Sequence, residues 1–327
     1  MGLFATSGPA GAAGATPSVR SGSDRHVSIG FGKPGSASCP ISGTYYDSSG
    51  VSHGFLYSDG AYTPESLVAA AQASALRTLA TTDHDSVDAV APTRLAAQPA
   101  GIEVIAGVEF ATPLTASGEE DVHIVGLFLD IERAELLDAL RRNRELRKQR
   151  VLEMIEKLNR IGIALRWEEV LPPGESASLT RLHVARSLVQ AGHASSIKAA
   201  FKRWLRPGGP AFVPHACPTA AETMALIHRV GGVALMAHPG RTGRDAEIPS
   251  LAAAGLDALE IYCPDHPASE ELRYLELAGR HGLLAGGGSD CHGNPNGRIL
   301  IGKARVDEAR VEALRTRAAQ YRERLHG

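Results

Sequence analysis

The stretch LATTDHD (79–85) runs from a short apolar segment straight into three ionisable side chains, Asp83, His84 and Asp85. The same construction recurs along the chain: VIAGVE (104–109) ends on Glu109, GVALMAH (232–238) ends on His238, and LLAGGGSDCH (283–292) ends on Asp290, Cys291 and His292. Each apolar run has the length and composition of a buried strand. Parallel sheets and barrels gather the C-terminal ends of their strands at one edge, where binding sites are built. A single Asp or His after a strand is usually a helix cap or a satisfied polar group. Four strands with the same kind of ending predict one shared site. Imidazoles mixed with carboxylates suit Mn²⁺, Fe or Zn²⁺, and several carboxylates favour a cluster of ions over one tetrahedral zinc. On extended backbone Asp290 and His292 face the same way, so Cys291 faces away and is expected to pack.

Outward from these endings, the chain alternates strands and helices. Strands are predicted at 79–82, 104–108, 122–129, 232–237, 259–262 and 283–285. A helix opens at Thr63, an N-cap followed by Pro64, with Leu67, Val68 and Ala71 on one face. Another spans 219–230 behind a Thr219/Glu222 capping box, and further helices are expected near 269–281 and 306–325. This βα order predicts an α/β fold with a mostly parallel sheet or barrel. Between 131 and 210 the alternation lapses into helices alone, which marks a helical insertion of nearly domain size. Residues 1–57 are rich in Gly, Ser, Ala and Pro and are expected to form an atypical or low-complexity N-terminal segment ahead of a domain at 58–327.

The 327 residues are 43% hydrophobic and carry a net charge of −2, so the chain can bury a substantial core and has no global pull towards polyanions. The four cysteines are widely spaced, without a C-x-x-C pair, which speaks against a disulfide framework or zinc ribbon and for a reducing, cytoplasmic setting. No segment approaches the length of a membrane span, and no apolar core of a signal peptide is present. Met1, Gly2 and Thr6 match a loose N-acylation pattern that recurs by chance. The run Arg141, Arg142, Arg144, Arg147, Lys148 and Arg150 reads as the solvated face of a long helix, with RNA contact as the alternative. Aromatics are scarce, leaving Trp204 and Tyr262 as the candidate supports for a base.

The segments SDGAYTPESLV (58–68), TDHD (82–85), GVEFAT (107–112), VHIVG (122–126), MAHPG (236–240) and GGSDCHG (287–293) resemble, in order, the motifs of the polymerase-and-histidinol-phosphatase (PHP) family. The resemblance implies a distorted TIM-like (β/α)7 barrel with a helical insertion and a metal-dependent phosphoesterase. It is nearest to the branch that dephosphorylates 3′,5′-nucleoside bisphosphates and trims short RNA from the 5′ end as an exoribonuclease; that branch carries a segment like SLTRLHVARSLVQAG (178–192). Carried over position by position, it implies Asp59, His84, Glu109, His123, His238, Asp290 and His292 as ligands of two or three divalent metals, Mn²⁺ foremost, with Asp83 orienting a ligand. His123 rests on the resemblance alone, because it stands at the start of its apolar run. Arg181 and Arg186, with His183 between them as a hydrogen-bond donor, are the candidate phosphate-binding groups of the insertion. The implied partners are small phosphate esters, nucleotides or short RNA.

The family pattern opens with a strand ending in His-x-His, and the corresponding positions here are Ser52 and Gly54 around His53. A one-residue shift turns a strand side chain to the opposite face, so His53 is no substitute. Residues 41–63 instead resemble one extracellular repeat of the HAF type. The expected first barrel strand is therefore missing or altered. Three readings compete: an active phosphoesterase, an impaired relative that binds metal and phosphate, and an extracellular repeat-type binding protein.

Overall fold

The computed structural model describes residues 41–46, 52–57, 62–114, 121–171, 178–291 and 300–326, the first two segments by backbone alone. Strands β1 (Ile41–Tyr46) and β2 (Ser52–Tyr57) form an antiparallel two-stranded ladder of their own. Strands β3 (Thr78–Thr81), β4 (Glu103–Pro113), β5 (Asp121–Leu127), β6 (Val233–Met236), β7 (Ala258–Tyr262) and β8 (Leu284–Gly287) pair in that order into one open six-stranded sheet. The helices are α1 (Pro64–Ala73), α2 (Val90–Ala97), α3 (Ala134–Arg160), α4 (Trp167–Val170), α5 (Arg181–Gln190), α6 (Ile197–Ala200), α7 (Ala220–Arg229), α8 (Pro239–Thr242), α9 (Ile248–Ala253), α10 (Ala268–Arg280) and α11 (Glu308–His326).

All six predicted strands of the sheet and both predicted N-caps are present. The Thr63 side chain accepts from the Ser66 N–H, and Thr219 and Glu222 form their reciprocal box at the head of α7. Five strands run parallel to one another; β5 alone is reversed, antiparallel to both β4 and β6. The sheet is covered on both faces, which is why its strands read as nearly unbroken apolar runs. Along β6, Ala234 and Met236 pack with Leu136 of α3, Ile227 of α7, Leu251 of α9 and Tyr274 of α10. The alternate residues Val233 and Leu235 pack with Val311, Leu314 and Ala318 of α11. Gly107 is required where β4 crosses its neighbours: a Cβ there would stand 2.9 Å from the Gly126 carbonyl oxygen and 2.7 Å from the Thr82 methyl.

The insertion is helical as expected and has its own core, built from Val151, Met154, Ile155, Leu158, Leu188, Trp204 and Leu205. Two readings of this region are corrected. Trp204 is 4% exposed in that core, so it is packing rather than a base platform. The basic run is not a uniform solvated face: Arg141 and Arg142 are exposed, whereas Arg147 and Arg150 are 4% and 8% exposed. They share one helical stripe with Leu140, Asn143, Val151 and Met154, and their positions follow the buried period of α3. Cys291 is fully buried against Leu79 and Val104, as its alternation with Asp290 predicted. Among the described residues, no helix is long and apolar enough to cross a membrane.

Candidate metal centre

Glu109 sits midway along β4, its side chain almost wholly buried at the edge where the parallel strands end. The chain leaving β3 stays alongside it. The Glu109 N–H donates to the Asp83 carbonyl at 3.2 Å, the Asp85 N–H donates to the Glu109 carbonyl at 3.1 Å, and His84 forms an isolated parallel bridge to Glu109. That ladder brings His84 Nε2 to 4.0 Å from Glu109 Oε2.

His123 arrives from the opposite direction. Because β5 is reversed, its N-terminal end lies at the same edge as the C-terminal ends of its neighbours, with His123 paired across from Ala111. Its Nδ1 is 2.6 Å from Glu109 Oε1. His238 follows β6 in a left-handed conformation, φ 32°, and its N–H donates to Glu260 Oε2 at 2.7 Å. Its Nε2 lies 3.2 Å from His123 Nδ1 and 3.5 Å from Glu109 Oε1. Gly240, two residues on, donates its N–H to His266 Nε2 at 3.2 Å, and a Cβ there would come within 2.5 Å of that nitrogen.

His84, Glu109 and His123 each offer a ligand atom within 4.8 Å of the others, the spacing of a metal site. Two polar atoms at this centre, Glu109 Oε2 and His238 Nδ1, are buried without a hydrogen-bond partner among the described residues. Such atoms cost free energy unless something satisfies them, and a divalent cation fits the imidazole and carboxylate donors that surround them. Electrostatics agree. Burial, the largest influence on His84, holds its pKa well below the usual value, so the ring is a neutral donor. Burial would raise the Glu109 pKa, but the imidazoles of His84 and His123 and the hydrogen bonds of His123 and His238 bring it well below normal, keeping a carboxylate. Burial pushes Glu260, behind His238, up to about 8, helped by the carboxylates of Asp290 and Glu109.

Asp290, 8% exposed and also in the left-handed region at φ 44°, pairs with Arg241, which holds Asp265 at 2.7 Å as well. Asp85, His238 and Asp290 are thus three non-glycine residues with positive φ beside one centre, a conformation that persists only where surrounding contacts enforce it. Asp83 is half-buried, joined to β4 through its backbone. Asp59 and His292 lie outside the described residues. In the insertion, Arg181 lies 5.9 Å from the ring centroids of both Phe201 and Phe212, and Arg186 is half-buried beside His183. His183 Nδ1 accepts the Thr180 N–H at 3.1 Å, and burial together with Arg186 lowers its pKa to about 4. The neutral ring therefore carries its proton on Nε2, as a donor should.

Sequence reasoning missed His215 and Glu260, and it read Arg147 only as one member of a solvated basic run. His215 is 4% exposed; burial, then the charges of Arg147, Arg150, Arg181 and His123, push its pKa down to about 2. It links the metal centre to the cationic wall of the insertion. The Cys217 thiol donates to the Ala111 carbonyl at 3.0 Å and lies 3.3 Å from His215 Nδ1, so the imidazole proton is on Nδ1, directed at sulfur. No strand ending announces His215. The period of the α3 stripe, extended to Arg147 and Arg150, was the available signal for the wall around it.

Residues 51–162 match the PHP domain. The chain is 35% identical over 242 residues to the 5′-3′ exoribonuclease Rnm of Escherichia coli K12, covering 72% of this chain and 82% of that protein. The chain belongs to the PHP family. It is also 34% identical over 256 residues to the 3′,5′-nucleoside bisphosphate phosphatase of Chromobacterium violaceum, across 75% of this chain and 87% of that one. A crystal structure from Bifidobacterium adolescentis, provisionally named a metal-dependent phosphoesterase, superposes with a TM-score of 0.69 at 28% identity, covering 79% of this chain and 92% of its own. As a PHP-family member the protein is a metal-dependent phosphoesterase, and the reading as an extracellular repeat-type binder falls. The family match begins within residues 1–57, at residue 51, in the segment read as atypical.

Proposed function

We propose that this PHP-family hydrolase releases phosphate from nucleotide monoesters, 3′,5′-nucleoside bisphosphates first, and trims short 5′-phosphorylated RNA as a second substrate class. The observation that carries this is the convergence of His84, His123 and His238 on the buried carboxylate of Glu109 at the strand-end edge, with Glu109 Oε2 and His238 Nδ1 unsatisfied among the described residues. These four residues would hold the metal, Mn²⁺ foremost with Fe or Zn²⁺ as alternatives, together with Asp290, Asp59 and His292 as further ligands and Asp83 as an orienting group. When bound, a divalent ion supplies Lewis acidity towards phosphate oxygens and makes water nucleophilic at neutral pH.

The chain's own residues do the rest. Arg181 and Arg186 bind the phosphate, and His183 donates from Nε2. Arg150 and Arg181, whose charges act on the neutral His215, favour an anion beside the centre, whereas the charge of Arg147 is paired with Asp85. The open six-stranded sheet is the wall of a TIM-like PHP barrel in a domain spanning 58–327, with the insertion at 131–210 closing over the substrate.

A second reading, the impaired relative, is favoured by one observation. β2 carries Ser52 and Gly54, the positions of the family's His-x-His, and its ladder partner is β1 rather than a strand of the main sheet. The test is phosphate release from a 3′,5′-bisphosphonucleotide by the purified chain supplied with Mn²⁺, Fe²⁺ or Zn²⁺. Chelator-sensitive turnover is expected. Metal binding without turnover supports the impaired relative, and failure to bind any of the three ions overturns both readings.

A further inference from the structure

Helix α3 is one 27-residue rod that serves two cores. Leu136, Ala139 and Leu140 pack against the sheet, whereas Val151, Met154, Ile155 and Leu158 pack inside the insertion. Between them the buried stripe turns polar, at Asn143, Arg147 and Arg150. Apolar residues of similar volume would be at least as stable at such positions, so a buried polar stripe calls for a reason other than stability.

The reason lies at its contacts. Asn143 Nδ2 donates to Asp85 Oδ1 at 2.8 Å, Arg147 Nε donates to Asp85 Oδ2, and Arg144 Nη1 donates to the Asp85 carbonyl at 2.8 Å. Both side chains of the Arg147–Asp85 pair are at most 5% exposed. Asp85 itself is held at φ 47°, with its N–H on the Glu109 carbonyl at 3.1 Å. Residues 83–85 are therefore zipped to β4 on one side and gripped by α3 on the other, with His84 in the middle. The same helix reaches the segment that presents His215: Arg150 Nε donates to the Val213 carbonyl at 2.9 Å and Lys157 Nζ to the Phe212 carbonyl at 2.6 Å.

We propose that Asp85, with Asn143, Arg144 and Arg147, is a positioning latch through which α3 sets the His84 and Glu109 ligand geometry and ties the substrate-binding insertion to the metal centre. The proposal rests on the reading of His84 and Glu109 as metal ligands. A stabilising ion pair needs one contact; here three donors from successive turns of one helix take both carboxylate oxygens and the carbonyl of the residue next to a ligand. Asp85 acts through His84 and touches no substrate.

The test compares the wild-type full-length chain with Asp85→Asn, Arg147→Lys and the double variant Asp85→Asn/Arg147→Met. Asparagine tolerates the left-handed conformation, and the double variant leaves no guanidinium buried without its partner. Mn²⁺ affinity is measured by titration of the metal-stripped proteins, with thermal unfolding and kcat and KM alongside. Asp85→Asn and the double variant are expected to bind Mn²⁺ roughly 10–100-fold more weakly, the usual effect of losing a residue that orients a ligand, and saturating Mn²⁺ should restore kcat. Arg147→Lys, which keeps the charge but loses the fixed fork, should fall between them and wild type. Wild-type Mn²⁺ affinity in the folded double variant, whatever its melting temperature, overturns the latch while sparing the metal centre. A wild-type chain that binds no metal overturns the centre and the latch together.

Discussion

Two buried carboxylates, at opposite edges of the same sheet, are treated in opposite ways. Asp257 stands just before β7, at the edge where the parallel strands begin, and every lone-pair position on it is used. Its Oδ2 accepts from the Ala234 N–H at 2.9 Å and lies 2.8 Å from His228 Nε2; its Oδ1 accepts from Arg317 Nη1 and Tyr321 Oη, both at 2.9 Å. The His228 and Tyr321 rings stack at 4.0 Å, closing the node. Glu109, at the other edge, has imidazoles about it and keeps Oε2 buried without a hydrogen-bond partner among the described residues. Both carboxyl groups titrate below their usual range, so charge alone does not distinguish them. Unspent hydrogen-bonding capacity does. A carboxylate that ties elements together is saturated by protein donors, and one that must take a ligand is not.

Substitutions at the two carboxylates should therefore separate function from stability. The largest expected effect is at the unsatisfied one: Glu109→Gln should lower metal-dependent turnover by more than ~100-fold, since removing a residue that merely orients a ligand already costs 10–100-fold. The metal-free variant should lose less stability than Asp257→Asn, as urea titration will show, because fewer protein donors hold Glu109 than hold Asp257. A loss of metal-free stability as large as that of Asp257→Asn would make Glu109 a second Asp257.

Asp257→Asn should do the reverse. Placing an amide among four donors and removing the charge that His228 and Arg317 face should cost about 3 kcal/mol of unfolding free energy. Metal affinity per folded molecule should not change. The acid limb sharpens the contrast. Burial alone would raise the Asp257 pKa, but the His228 and Ala234 hydrogen bonds bring it below its ordinary value. A group depressed in the folded state stabilises above its unfolded pKa of about 3.9 and loses that contribution as pH falls through the lower folded value. The urea midpoint of wild type should drop as pH is lowered from about 4 towards 2, and that of Asp257→Asn should drop less.

The smallest effect is expected at Thr219, which caps the far end of the helix that delivers His228 to Asp257. Thr219→Ala should cost about 1 kcal/mol and leave both metal binding and the acid limb as they were. A larger loss would show that α7 transmits strain to the Asp257 node.

What the sequence by itself determined was local: where strands and helices lie, which residues cap them, and which strands end on metal-binding side chains. Alternation, capping chemistry and the apolar period act within a few residues, so LATTDHD, VIAGVE and GVALMAH could be read without knowing their neighbours. The tertiary structure decided direction and company. Reversing β5 leaves its two-residue period unchanged, so only its pairing with β4 and β6 shows that His123, at the start of its strand, belongs to the same edge as Glu109. The basic run of α3 likewise has two meanings. Arg141 and Arg147 are the same residue type on one helix, and what separates them is that the turn carrying Asp85 packs against one side of that helix and water against the other. His215 stands on no strand end and has no motif around it; it enters the site because Arg150 and Lys157 bind the carbonyls of the segment leading to it. Such placements depend on contacts between residues dozens of positions apart, and a pattern of short period carries no record of them.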